Sequence, residues 1–128
     1  MDPATDRRWL NVVSSANVVL FERGIPIAAG EWRAAGPNGI WIEHIEVRVD
    51  LRGMGIGKEL LNAVVNNARL KVRDLKYVFG EIVTREAVIV RKKVFHNTVF
   101  TIFGVPVSPQ DAAREVSIHN RVLAVSFV

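Results

Sequence analysis

One stretch constrains this chain more than any other: an alternating strand that runs through a glycine-punctuated turn into an amphipathic helix. From Ile40 to Val49 the residues alternate as a strand does. That pattern predicts Trp41, Glu43, Ile45, Val47 and Val49 on one face and Ile42, His44, Glu46 and Arg48 on the other. From about Gly57 to Val72, Leu60, Leu61, Val64, Val65 and Ala68 fall on one helical stripe. Between them lies Arg52-Gly53-Met54-Gly55-Ile56-Gly57. A turn of this kind points several backbone N–H groups outward at a helix N-terminus, where the helix dipole also favours negative charge. Without Cβ atoms, a phosphate can approach that backbone closely. Arg52 and Lys58 add positive charge at the same place.

Three phosphate-binding loops compete for this segment. A Walker A loop fails, because its first glycine would fall on Arg52 and its hydroxyl on Glu59. A dinucleotide GxGxxG fails because Gly57 follows Gly55 one residue too early, and the chain is small for a two-half nucleotide fold. The third is of a kind found in a protein family that this segment resembles.

The rest of the chain reads as one domain of alternating elements, with no repeat and no flexible linker. Asp2-Pro3 resembles a helix cap, so a short helix is expected over about residues 3–13. Strands are expected over 16–22 and 25–34, joined at Arg23-Gly24. Gly36-Pro37-Asn38-Gly39 is a turn before the Ile40–Val49 strand. Tyr77 to Val83 is a mostly apolar strand. Thr84 caps a helix over about 85–95, and a strand follows over 98–105. A loop over 105–120 includes a short helix starting at Ser108-Pro109, and 121–128 closes the chain as a strand. The order is α-β-β-β-α-β-α-β-β.

Composition removes several classes of function. With no cysteine, the chain has no disulfide framework, thiolate metal site or cysteine nucleophile. His44, His96 and His119 stand in no metal-ligand spacing. Apolar runs fall well short of the ~20 residues of a membrane span. The N-terminus lacks a signal pattern, so a cytoplasmic location is expected. A net charge of +4 suits an anionic ligand. Nucleic acid is the weaker candidate, because no dense basic run with interleaved aromatics occurs.

The loop resembles that of the GNAT acetyltransferase superfamily, Arg/Gln-x-x-Gly-x-Gly/Ala. Arg52, Gly55 and Gly57 match it; Gly53, Ile56, Leu60-Leu61 and the preceding Val47 match preferences around it. The likeness is clear over about residues 16–83 and loose from residue 84 onward. It implies an α/β GNAT fold, with a mixed, mostly antiparallel sheet flanked by helices and a shortened N-terminal region. It implies acetyl-CoA as co-substrate, held by Val47, Arg48, Val49, Arg52, Gly53, Met54, Gly55, Ile56, Gly57 and Lys58. The pantetheine arm would enter where a bulged strand diverges from its neighbour and would pair with the main chain of Val47 and Val49. The amide near Val47 would polarise the thioester carbonyl.

Transfer to an amine needs a base. Glu43 is the leading candidate by its place in the family's strand, with Glu46 and His44 behind it and Glu81, an acid in an apolar run, as a further one. The family's usual acid is a tyrosine in the helix or loop after the fifth strand. The single tyrosine here, Tyr77, begins that strand; Thr98, Thr101 and His96 are the polar groups nearest the family position, and Asn97 corresponds only loosely to a cofactor-contacting asparagine. The short N-terminus implies an acceptor site that is open or completed by a second subunit, and suits a large amine such as a protein terminus or lysine. A terminal strand at 121–128 would pair across a homodimer if it lay on a sheet edge. Two alternatives remain: an acyl-CoA-binding module without transfer, and a small basic nucleic-acid-binding protein.

Overall fold

The computed structural model describes the backbone of residues 7–12 and all of residues 16–128. The described strands are β1 (Arg7–Val12), β2 (Asn17–Glu22), β3 (Ile25–Ala34), β4 (Gly39–Val47), β5 (Tyr77–Ile82), β6 (Asn97–Ile102), β7 (Val105–Val107) and β8 (Val122–Phe127). The helices are α1 (Ile56–Arg69), α2 (Arg85–Val94) and α3 (Pro109–Ser117), with a 3-10 turn at Val49–Leu51. All strands form one sheet in the order β1-β2-β3-β4-β5-β8-β6-β7. Among the described strands only β4 and β5 pair in parallel.

The expected helix over 3–13 is corrected. Arg7–Val12 is a strand that pairs antiparallel with Asn17–Glu22; the Asp2-Pro3 cap lies outside the described residues. Trp9, Leu10 and Val13 make too short an apolar stripe to hold a helix, whereas the β2 edge offers a complete ladder. The segment expected as one strand over 98–105 is a hairpin. It turns at Phe103 and Gly104, with φ of 51° and 78°, the left-handed pair that a two-residue hairpin turn requires. Within the expected loop, α3 is well capped: Ser108 Oγ accepts from the Asp111 amide at 3.0 Å, and Pro109 opens the helix. The terminal strand β8 lies between β5 and β6 and not on an edge, so edge pairing of that strand across a dimer is ruled out.

The three helices share one face of the sheet. The crossover β4-α1-β5 joins parallel neighbours, and β5-α2-β6 steps onward in the same direction, so right-handed connections place both helices on the same side. One cluster packs Val18, Leu20, Ile40, Ile42 and Val78 under Leu60 and Val64 of α1. A second packs Ile82, Phe100, Val122 and Ala124 under Val88 of α2 and Ala112 and Val116 of α3. Among the described residues no helix covers the other face. Half-buried Trp41, Phe79, Leu123 and Val125 lie there, with Tyr77 and Phe127 in edge contact at 5.7 Å between ring centroids.

One buried hydrogen bond sets α1 against the sheet. Trp32 Nε1 donates to Asn67 Oδ1 at 2.8 Å, and both residues are buried. Trp32→Phe keeps most of the ring but removes the donor. The expected loss is about 1–3 kcal/mol, read as a lower urea midpoint at constant slope. An unchanged midpoint would show that this bond contributes nothing.

Candidate functional site

The parallel ladder between β4 and β5 is short. It pairs Gly39–Ile42 with Tyr77–Gly80 and ends there. Beyond that rung β4 continues against β3 and β5 continues against β8, so the two strands part as a fork. Arg48 N–H donates to Ile27 O at 2.9 Å, towards β3. Backbone groups alternate along a strand, so those of Val47 and Ile45 point into the fork. Val49 lies outside the strand, in the 3-10 turn, where its carbonyl accepts from the Arg52 amide at 3.5 Å.

A bulge changes the faces of β4. Glu31 pairs with His44 and Trp32 pairs with Ile42, leaving Glu43 as the extra residue. Ile45 turns towards α1: a Cβ placed on Gly30, its cross-strand partner, would lie 3.1 Å from Ile45 Cδ1 and 2.6 Å from Val64 Cγ2. Val47 also packs against the α1 cluster. His44 and Glu46 flank Ile45 and therefore point to the uncovered face. Glu43 pairs there with Arg33, the cross-strand partner of Trp41. Strict alternation, which separates Glu43 from His44 and Glu46, is thus corrected: the bulge gathers all three on one face.

The partners on that face are ionic. His44 Nε2 and Glu46 Oε2 stand 3.0 Å apart. Glu81, just past the last rung on β5, also faces this side and pairs with Arg121 Nε at 3.4 Å. Its side chain is 43% exposed, so the apolar run around it does not bury it. Arg48 is engaged with Asp50 (Nε to Oδ1, 2.6 Å), which holds the Asp50 carboxyl below the usual carboxylate range, through the hydrogen bond before the charge.

The glycine turn lies at the mouth of the fork. Gly53 and Gly55 have φ of 82° and 81°, which side-chain-bearing residues rarely adopt, and a Cβ on either would meet nothing within 4 Å. Gly55 caps α1 in the left-handed conformation, and no side chain caps the first amides of the helix. Arg52 Nε donates to Val47 O at 3.4 Å, tying the turn to the end of β4. Met54 and Lys58 are exposed beside it, while Ile56 is fully buried and anchors the helix start. The site therefore combines free helix-end amides, two cations and open space above the glycines, a set that fits a pyrophosphate. Two surface hollows of about 310 and 560 Å³ lie along the flank of α1, away from the fork. The chemistry needs polar groups at the ladder's end, and the fork is where they stand.

The other expected polar groups are elsewhere. Tyr77, Asn97 and Phe127 are level with one another at the closed end of the sheet, with His96 beside them. Thr98 Oγ1 bonds Ser126 Oγ at 2.8 Å on the helix side. Thr101 is level with Glu81 but two strands away, roughly 10 Å. Sequence reasoning missed Arg33, the partner of Glu43, and Arg91, which α2 buries beneath the sheet. The spacing Val88, Arg91, Phe95 marks the inward stripe of α2 and was a readable signal.

Among the described residues no helix is long and apolar enough to cross a membrane. A search of curated protein sequences finds no match. Solved structures with similar folds include Ard1 from Thermoplasma volcanium, 20% identical with a TM-score of 0.64 over 88% of this chain and 70% of that one. A GNAT family acetyltransferase from Elizabethkingia anophelis with acetyl-CoA bound is 14% identical, with a TM-score of 0.62 over 91% of this chain and 78% of that one. The ribosomal-protein-S18-alanine N-acetyltransferase from Escherichia coli is 13% identical, with a TM-score of 0.61 over 94% and 70%. These likenesses establish the fold. The sequence profile of the Acetyltransferase (GNAT) family matches residues 2–85, and the chain belongs to that family.

Proposed function

We propose that this protein binds acetyl-CoA at the fork and transfers its acetyl group to an amine. The observation that carries the reading is the parted β4–β5 ladder with an uncapped, glycine-lined helix start at its mouth. Acetyl-CoA supplies an activated acyl group. The amides of residues 55–58, with Arg52 and Lys58, hold its pyrophosphate, and the fork-facing main chain of Val47 takes the pantetheine arm and the thioester carbonyl. Arg48, just past the end of β4, contributes through its backbone position only, because its side chain is paired with Asp50 and its amide with Ile27.

The acceptor approaches from the uncovered face. Glu43 stands at the first position past the last rung and receives the amine proton, directly or through a water. Arg33 pairs with its carboxylate and orients it. Glu46 orients the imidazole of His44 one step further along, the second proton route. With no helix on this side among the described residues, the site admits a polypeptide amine as readily as a small one. The rival reading, a binding module without transfer, draws on the distance of Tyr77, His96 and Thr101 from the fork. A product screen over peptides and small amines decides between them.

Two outcomes follow. Acetyl-CoA at about 100 times its dissociation constant adds roughly 2.7 kcal/mol, a rise of several degrees in melting temperature. ATP and NAD give no such rise. Gly55→Glu, which fills the open space above the turn at a left-handed position, abolishes the shift. Absence of any shift in the folded protein would remove the cofactor reading.

Glu43→Gln lowers kcat/KM by about 10²–10⁴-fold while coenzyme A affinity stays near wild type. His44→Ala and Glu46→Gln lower it less. Steady-state kinetics beside calorimetry checks the order, and a larger loss at His44 would move the base role to the His44–Glu46 pair.

A further inference from the structure

Arg91 is the one buried charged residue among the described residues, 5% exposed. It sits on the inward stripe of α2, with its guanidinium 5.9 Å from the centre of the Phe95 ring. Its Nη1 donates two hydrogen bonds, to Val78 O at 3.0 Å and Ser126 Oγ at 2.9 Å. No carboxylate pairs with it among the described residues. A buried cation without a counter-charge is costly, and an apolar side chain of similar length would fill the space with less penalty.

Its other amino group shows what the charge is aimed at. A Cβ on Gly80 would stand 2.5 Å from Arg91 Nη2, so the glycine is what gives that nitrogen its room. The same point is 3.7 Å from Ile42 O. Ile42 and Gly80 form the last rung of the parallel ladder. Nη2 is therefore held at the apex of the fork, on the helix side, opposite the face that carries Glu43.

Resting on the acetyl-CoA reading above, we propose that Arg91 is the fixed positive charge that stabilises the coenzyme A thiolate as the acetyl group leaves. The amine nitrogen bonds to the thioester carbon, the C–S bond breaks, and its electron pair stays on sulfur. The amine proton passes to the Glu43 carboxylate. Arg91 keeps its own protons, and the thiolate is protonated by solvent after the acetyl group has moved. Burial pushes the Arg91 guanidinium down to about 10, still well above neutral, so the charge persists. Because the guanidinium itself is buried, its charge acts more strongly on an anion brought against it than a solvated arginine would. This supplies the leaving-group role that Tyr77, His96 and Thr101 are too distant to fill.

The test uses the whole protein with coenzyme A and desulfo-coenzyme A, which differ only in the thiol. In wild type the bound thiol, followed by thiolate absorbance, titrates about one unit below free coenzyme A, a tenfold preference for the thiolate. Well above the pH at which free coenzyme A itself titrates, coenzyme A binds about tenfold tighter than the desulfo analogue. Arg91→Met returns the thiol to its free value and erases the preference, with desulfo affinity within about twofold. Arg91→Lys restores part of it. Gly80→Ala serves where Arg91→Met does not fold, because it displaces Nη2 while keeping the charge; it too reduces the preference. Equal weakening of both ligands by these variants, or a bound thiol that titrates at its free value in wild type, overturns the proposal and leaves Arg91 a structural residue. Failure of wild type to bind either ligand rejects the cofactor reading itself, and this proposal with it.

Discussion

The parting of β4 from β5 after the Ile42–Gly80 rung is the constraint on which the rest of the structure depends. Each strand keeps its outer partner, β3 or β8, so the split leaves neither strand loose. It does leave the inward backbone groups of Ile45 and Val47 without a ladder. Unpaired backbone is tolerated where water or a ligand can satisfy it, which makes the fork a natural binding edge. The bulge at Glu43 stands at the same level. One extra residue bends β4 and reverses the facing of everything after it. Ile45, still 40% exposed, and half-buried Val47 thereby face the α1 side, and His44 and Glu46 join Glu43 on the other.

Connection handedness then decides which side of the fork is open. Two right-handed crossovers that step the same way across the sheet put α1 and α2 on a single face, and α3 joins them because it must return the chain to β8 between β5 and β6. The opposite face is left with an aromatic strip at the closed end, Trp41, Tyr77, Phe79 and Phe127, and with carboxylates nearer the fork. Two of the fork carboxylates have an arginine: Arg33 for Glu43, Arg121 for Glu81. Both pairs are largely exposed, so their contribution to stability is small. Their effect is on where a carboxylate points.

Much of this was legible in the sequence because the informative residues act locally. Glycines at 53 and 55 carry the left-handed turn whatever the tertiary context, and the apolar stripe of α1 follows from periodicity alone. The Ser108-Pro109 helix start is equally local. What escaped depends on contacts distant in sequence. The bulge at Glu43 is a mismatch with β3, and periodicity within β4 assumes there is none. Arg7–Val12 is a strand because the edge of β2 is available to it, which its own composition does not reveal. The β6–β7 turn at Phe103 uses a residue that seldom adopts positive φ, so it lacks the usual turn signature. Arg91 reads as one more basic residue in Arg91-Lys92-Lys93 until the stripe through Val88 and Phe95 is drawn.

The two faces of the fork carry different charged groups, and this is the deepest consequence of the topology. On the helix side stand Arg91, with the α1 amides, Arg52 and Lys58 at the mouth. On the uncovered side stand the carboxylates of Glu43, Glu46 and Glu81, each beside its partner Arg33, His44 or Arg121. A sheet is thin, but a strand's alternation keeps neighbouring side chains on separate surfaces, so the two sets do not neutralise each other. On the reading proposed above, the anionic cofactor meets cations and the amine meets carboxylates, each from its own side. The ligands are drawn together at the gap between the strands, the one place where a bond can form between them. A helix on the second face would hinder that approach, and a ladder closed along its full length would prevent it. The bulge, the short parallel pairing and the one-sided helices therefore act as one arrangement, because removing any of them would separate the two charges from their meeting point.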